Sequence, residues 1–217
     1  MRFQLDTRSS LTARDDILDA ADALFGDLGF DATTTRQIAE RCGVNKALIH
    51  YHFDTKEQLF QAVLTRYYAS LTQVFGLILV GELTIGERLE LLVDTYVDFL
   101  SKNQRFSRMV QREVSMGRHV EQIVGHMVPP FRGALEVIHH AFPATKQGDF
   151  AAPQMLLSFF GMVVTYFAYG PVVEKLLGTD PFAPVALAAR KRHLRRVLNL
   201  LIAALEDETE AVHPATP

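Results

Sequence analysis

The sequence predicts an all-α chain, and three observations carry that prediction. Apolar residues recur at helix-face spacing along most of its length, no run of alternating apolar and polar residues reaches strand length, and the periodic runs are punctuated by capping residues, glycine or proline. Between Ser10 and Gly29 the residues Ile17, Leu18, Ala21, Leu24, Phe25 and Leu28 share one helix face, with Gly29 as the left-handed stop. Thr34 and Gln37 stand at capping-box spacing and open a short helix that runs through Cys42 and ends at Gly43. Asn45 caps a second short helix from Lys46 to His52, and Thr55 with Gln58 opens a long one carried to Leu79. Ile85, Leu89, Leu92, Val93, Tyr96, Val97 and Leu100 mark another amphipathic helix, and Met109, Val110, Val114 and Met116 a shorter one. Gly117, Gly125 and the Pro129-Pro130 pair are expected to break residues 104–142 into two or three pieces. Two long helices, 151–177 and 184–206, finish the chain around a GTDPFAP turn, and the tail from Glu208 is expected to be frayed or disordered.

Composition bounds what such a chain does. Hydrophobic residues make up 48% and charged residues 22% of the 217, which excludes a disordered protein. A single cysteine excludes an internal disulfide and any cysteine-rich zinc site, and Cys42, ending a short helix, reads as a small buried residue rather than a redox sensor. The start, MRFQLDTRSS, lacks the apolar core of a secretory signal, so a cytoplasmic location is the default expectation. Residues 151–173 carry no charge, but Pro153, Gln154, Ser158, Thr165 and Pro171 dilute the run. It therefore reads as a helix buried on all sides rather than a membrane span.

Two short helices joined by Gly43-Val44-Asn45 form a helix-turn-helix, whose second helix can enter a DNA major groove. Residues two apart on a helix point about 200° apart, so His50 and His52 cannot grip one metal together. Ile49 and Phe53 are the apolar, core-facing pair of that helix, leaving Lys46, Ala47, His50 and Tyr51 outward, where hydrogen-bonding and cationic groups suit phosphates and base edges. His52, beside the core boundary, reads equally well as a satisfied core histidine. The net charge of -3 argues against nucleic acid, and residues 1–66 are themselves net acidic. Locally the balance reverses, because Arg36, Arg41 and Lys46 face only Glu40 between Thr33 and Phe53.

Residues 12–64, through ILDAADALFGDLGFDATTTRQIAERCGVNKALIHYHFDTKEQLFQAVL, resemble the N-terminal DNA-binding domain of the tetracycline-repressor (TetR) family of transcriptional regulators. Phe25, Gly29, Thr34, Ile38, Ala39, Gly43, Val44, Phe53, Lys56 and Glu57 fall in that family's order. The resemblance implies a helix-turn-helix domain at 1–55, a helical regulatory and dimerisation domain at 56–207, and a tail at 208–217. It also implies a homodimer on a palindromic operator in double-stranded DNA, a repressor released by a small-molecule effector, no enzymatic activity and no cofactor. Carried over by position, Thr35, Arg36, Lys46, Ala47, Leu48, His50, Tyr51 and Lys56 are the expected DNA contacts. Leu48 stands where many members have threonine, which points to an apolar contact with a thymine methyl, and His50 stands where tyrosine is common, which makes a phosphate contact pH-dependent.

Beyond that domain the expectations rest on apolar patterning. Met155, Phe159, Met162 and Tyr166, with Leu194, Leu198 and Leu201, are the expected dimer interface, and Gly161 allows close helix approach. Tyr96, Phe99, Met109, Arg112, Met116, His119, Ile123, His126, Met127 and Phe131 are the expected lining of an apolar effector pocket, although ordinary core fits the same residues. An effector there acts by preferring one dimer conformation, transmitted by the helix from Lys56 to Leu79. Arg190 to Arg196 form a charge run on a leucine-striped helix and read as its solvated face. Two rivals remain: a helical adaptor without DNA binding, and a metal-sensing regulator built on His119, His126, His139 and His140 with Glu113 and Glu136, against the expectation of no metal. No nucleophile–base pair or phosphate-binding glycine loop supports an enzyme.

Overall fold

The computed structural model describes the backbone of residues 2–80 and 82–212 and the side chains of residues 12–80 and 82–207. Among the described residues there is no strand. The order is α1 (Arg2–Leu28), α2 (Thr35–Cys42), α3 (Lys46–Phe53), α4 (Lys56–Leu79), α5 (Ile85–Lys102), α6 (Gln104–Ser115), α7 (Val120–Ala141), a 3-10 turn (Pro143–Lys146), α8 (Ala152–Ala168), α9 (Gly170–Leu177) and α10 (Pro184–Val212). The chain divides into two compact units. One comprises residues 1–70 and 104–126, the other 71–103 and 127–217.

The first unit is built on aromatic packing. Phe25, Phe30 and Phe60 meet with ring centroids 5.2–5.8 Å apart, and Ile17, Ile38, Ile49, Leu59 and Leu64 complete a buried core that holds α1 to α4 together. In the second unit α5, α8 and α10 bury Val97, Leu100, Val163, Phe167 and Leu194 against one another. A second cluster joins Ile138, Phe142, Ala152 and Leu205.

Several elements differ from expectation, each for a physical reason. Pro129 and Pro130 lie inside α7, which breaks at neither them nor Gly125. Each proline deletes one backbone bond at a cost of about 3 kcal/mol, but the carbonyl of exposed Gly125 can turn to water, and Ile123 and Ile138 are buried on either side. The expected single helix 151–177 is two, α8 and α9, bent by 83° at Tyr169. Pro171 cannot donate to the Phe167 carbonyl, and it sits instead in the first turn of α9, where no donor is needed. Gly170 is required at the corner because a Cβ there would stand 2.6 Å from the Phe182 ring. Nor is this segment buried on all sides: α8 buries Ala152, Val163 and Phe167 along one face, while Leu157 is 55% exposed. No single described helix is long and apolar enough to cross a membrane. The tail expected from Glu208 is helical in backbone to Val212, and residues 213–217 lie outside the described residues.

Candidate nucleic-acid interface

Local chemistry sets the two short helices. Thr34 accepts from the Gln37 N–H at 3.2 Å while the Gln37 side chain accepts from the Thr34 N–H at 2.8 Å, a reciprocal cap. Thr33 is fully buried, its hydroxyl donating to the Gly29 and Leu24 carbonyls at 2.8 and 3.1 Å, which pins the approach to α2. Gly43 ends α2 at φ +70°, a left-handed position that suits glycine, and the Asn45 side chain accepts from the Leu48 N–H at 2.8 Å to start α3.

α3 divides as its pattern predicts. Ile49 and Phe53 are 2% and 4% exposed, whereas Lys46, Ala47, His50 and Tyr51 are exposed, Tyr51 at 79%. Leu48 lies half-buried at the border, and Thr35 is half-exposed at the first position of α2. Arg36, on the outer face of α2, pairs with Glu40 one turn on at 2.8 Å; the hydrogen bond and the charge of Glu40 both favour the guanidinium cation, raising its pKa. Both side chains are mostly in solvent, so the pair can open at little cost. The His50 ring places Nδ1 2.8 Å from the Asp54 carbonyl oxygen, at the left-handed end of α3. His52 is half-buried between Tyr51 and Phe53, and its Nε2 is buried without a hydrogen-bond partner.

Lys56 is different. Its ammonium donates to the Phe30 and Thr33 carbonyls, both at 3.0 Å, and lies 4.1 Å from the Phe30 ring centroid, so two of its three protons tie α4 to the turn before α2. Arg14 of α1 is a residue that sequence reasoning passed over: its guanidinium lies over the Phe53 ring at 5.1 Å, beside the last turn of α3. No local signal could have found it, since Arg14 and Phe53 belong to different helices.

The residues expected to line one pocket fall in both compact units. Tyr96, Phe99, Met127 and Phe131 belong to the second, all half-buried. Met109, Arg112, Met116, His119, Ile123 and His126 belong to the first, where Met109 and Ile123 are buried core, Met116 is 59% exposed, and His119 and His126 are hydrogen-bonded to Glu113 and Gln61. In the second unit a groove of about 280 Å³ lies between Ile85 and Arg88 of α5 and Glu136 and His140 of α7. Of the expected dimer residues, Leu194 and Leu198 are buried in the chain's own core, while Met155, Phe159, Met162, Tyr166 and Leu201 are half-buried. Among the described residues no three histidine, cysteine or carboxylate side chains are grouped to hold a metal ion.

Residues 17–63 match the bacterial regulatory proteins of the tetR family. The chain is 30% identical over 109 residues to the transcriptional repressor KstR2 of Rhodococcus jostii, covering 50% of this chain and 53% of that protein. It is 31% identical over 97 residues to the transcriptional activator FasR of Mycolicibacterium smegmatis, covering 45% and 44%. The chain thus spans about half the length of these sequence relatives or less. In fold the likeness reaches further: it covers 86% of this chain and 93% of the ketosteroid transcriptional regulator KstR2 of Mycobacterium tuberculosis, with a TM-score of 0.66 at 18% identity. A TetR-family regulator from Bordetella parapertussis gives a TM-score of 0.67 at 18% identity over 85% of this chain and 93% of its own. With its capped helix pair, the segment 17–63 matches the tetR family of bacterial regulatory proteins, and the chain shares its fold with the Bordetella parapertussis regulator over most of its length.

Proposed function

We propose that this protein is a sequence-specific DNA-binding regulator of transcription, acting as a homodimer on a palindromic operator and released by a small apolar molecule. The observation that carries the DNA-binding reading is the division of α3, with Ile49 and Phe53 in the core and Lys46, Ala47, His50 and Tyr51 exposed. A helix anchored by one apolar edge and offering donors along the other fits a major groove, with its first turn toward base edges and its last toward the backbone. In this reading Thr35, Arg36, Lys46, Ala47, Leu48, His50 and Tyr51 meet DNA, Arg14 stands ready beside the last turn, and Lys56 positions α2 rather than touching phosphate.

A single recognition helix reads too few base pairs for genomic selectivity, which is the reason for two copies and a two-fold site. Repression is the direction we favour, as KstR2 of Rhodococcus jostii is a repressor, although FasR is an activator. The half-buried Tyr96, Phe99, Met127 and Phe131 support an apolar effector bound in the second unit. As a DNA-binding regulator the protein works in the cytoplasm and needs neither catalysis nor a cofactor. Selection of random duplexes by the purified protein tests the reading: enrichment of a palindrome is expected. Recovery of unselected sequences would leave the helical adaptor in its place. A reporter behind the selected site then rises on removal of the protein if it represses and falls if it activates.

A further inference from the structure

We propose that His50 contacts an operator phosphate only as the imidazolium, so that each recognition helix takes up a proton when it binds DNA, resting on the DNA-binding reading above. The Nδ1 atom lies 2.8 Å from the Asp54 carbonyl oxygen. A carbonyl has no proton to give, so Nδ1 carries the hydrogen and donates it. In the neutral ring the exposed Nε2 therefore holds only a lone pair. A phosphate diester oxygen is likewise an acceptor, and two lone pairs repel. A proton from solvent on Nε2 removes the conflict: Nδ1–H stays on Asp54 while Nε2–H donates to phosphate in a charge-assisted bond.

Placement favours phosphate over a base edge. His50 stands in the last turn of α3, whereas Lys46 and Ala47 occupy the first turn, the part of a recognition helix that reaches bases. The charged and titratable groups on α3 and on the elements packed against it include Lys46, Tyr51 and His52 of α3, Asp54 at its cap, Arg14 of α1 over the Phe53 ring, and the exposed Arg36, Glu40 and Arg41 of α2. All of these persist when His50 alone is changed, so a variant of His50 isolates its proton.

The test measures affinity for the selected duplex from pH 6 to 8.5 at fixed ionic strength for wild type, His50→Gln and His50→Tyr, and counts protons from binding heats in two buffers of different ionisation enthalpy. Wild-type affinity should fall as pH rises across this span, and more steeply than that of His50→Gln. Proton uptake approaching one per protomer should vanish in both variants. His50→Tyr, whose phenol donates without taking up a proton, should hold its affinity at pH 8. The side chain is exposed, so unchanged thermal unfolding of the variants is expected and keeps the comparison clean. Equal pH slopes in wild type and His50→Gln would overturn the proposal while leaving DNA binding intact; that is the outcome if neutral Nε2 accepts from a base amino group. Nitrogen NMR of the free protein at pH 8.5 showing the Nε2–H tautomer would overturn it as well. No wild-type binding to any duplex at any pH would instead remove the DNA-binding reading, and this proposal with it.

Discussion

Three threonines in a row, Thr33-Thr34-Thr35, do three different things: Thr33 is a buried strut, Thr34 a cap and Thr35 a half-exposed first residue of α2. Only the cap is legible from sequence, because its partner is three residues away. The same limit hides the role of Lys56, whose acceptors at Phe30 and Thr33 are distant in sequence. Lys56→Ala should destabilise the protein by about 2 kcal/mol, as charge-assisted bonds to two part-buried carbonyls are lost, with a lower midpoint in urea as the readout. Its salt dependence of DNA affinity should match wild type, whereas Arg36→Ala should flatten the log–log slope by about 0.9 for each phosphate no longer neutralised. A flattened slope in Lys56→Ala would restore it to the DNA-binding set. His126 offers a pH test in the same unit. Its pKa is lowered by burial, and Gln61 lies 2.9 Å from its Nε2. The unfolded chain therefore binds a proton more readily than the folded one. The contribution of His126 is fully present above the ordinary imidazole range and is lost as pH falls from about 7 towards the lower folded value. A thermal midpoint whose acid-side decline is shallower in His126→Gln than in wild type is expected.

Among the elements, α2 and α3 are the most legible because caps and stops are local: Thr34, Gly43 and Asn45 mark ends that the structure reproduces. The α6–α7 corner is the least legible. Glu113 on α6 is fully buried, a position a helical wheel assigns to an apolar residue, and His119 donates to its carboxylate across 2.9 Å from a left-handed backbone at φ +51°. The His119 ring packs on Phe30 and Phe60, with centroids 4.4 and 4.6 Å away, and Arg118 pairs with Asp31. Thus the corner grips the turn that leads into α2. Arg118 Nε stands 3.6 Å from the Glu113 carboxylate, too far for a hydrogen bond, so His119 is the carboxylate's main partner. Removing it in His119→Ala should cost about 3 kcal/mol, as the fully buried carboxyl group loses its hydrogen-bond partner and the two phenylalanines lose the ring packed on them. Glu113→Gln should cost less, since the amide oxygen still accepts from Nδ1. Denaturant midpoints in that order are expected; equal losses would mean that the carboxylate–imidazole contact, not ring packing, holds the corner.

At the scale of the whole molecule, the class and order of helices were readable because periodicity and punctuation repeat throughout the chain, whereas a mating surface carries no such periodic signal. Apolar content alone selected Met155, Phe159, Met162 and Tyr166, yet these are half-buried, and Met162 and Tyr166 pack against the core of the second unit. The face of α8 turned furthest outward holds Gln154, Leu157, Ser158 and Thr165. Gly161 lies beside them, and an added Cβ there would meet no atom within 4 Å. Small side chains on an open helix face allow a second helix to approach closely, and Leu200 of α10, 56% exposed, adds apolar surface within the same unit. Met162→Glu is therefore an ambiguous probe, because a charge there disturbs the core as well as any interface. Gly161→Leu separates the two. Within one chain the new side chain enters open space and replaces a poor helix former, a gain of about 0.8 kcal/mol in propensity. Against a second copy it obstructs the close approach of two backbones. Sedimentation should show a monomer that unfolds at the wild-type monomer's temperature or above it, with lost preference for the palindrome over a single half-site. A dimer of unchanged stability in Gly161→Leu, together with one in Leu157→Glu, would place the mating surface away from this face of α8.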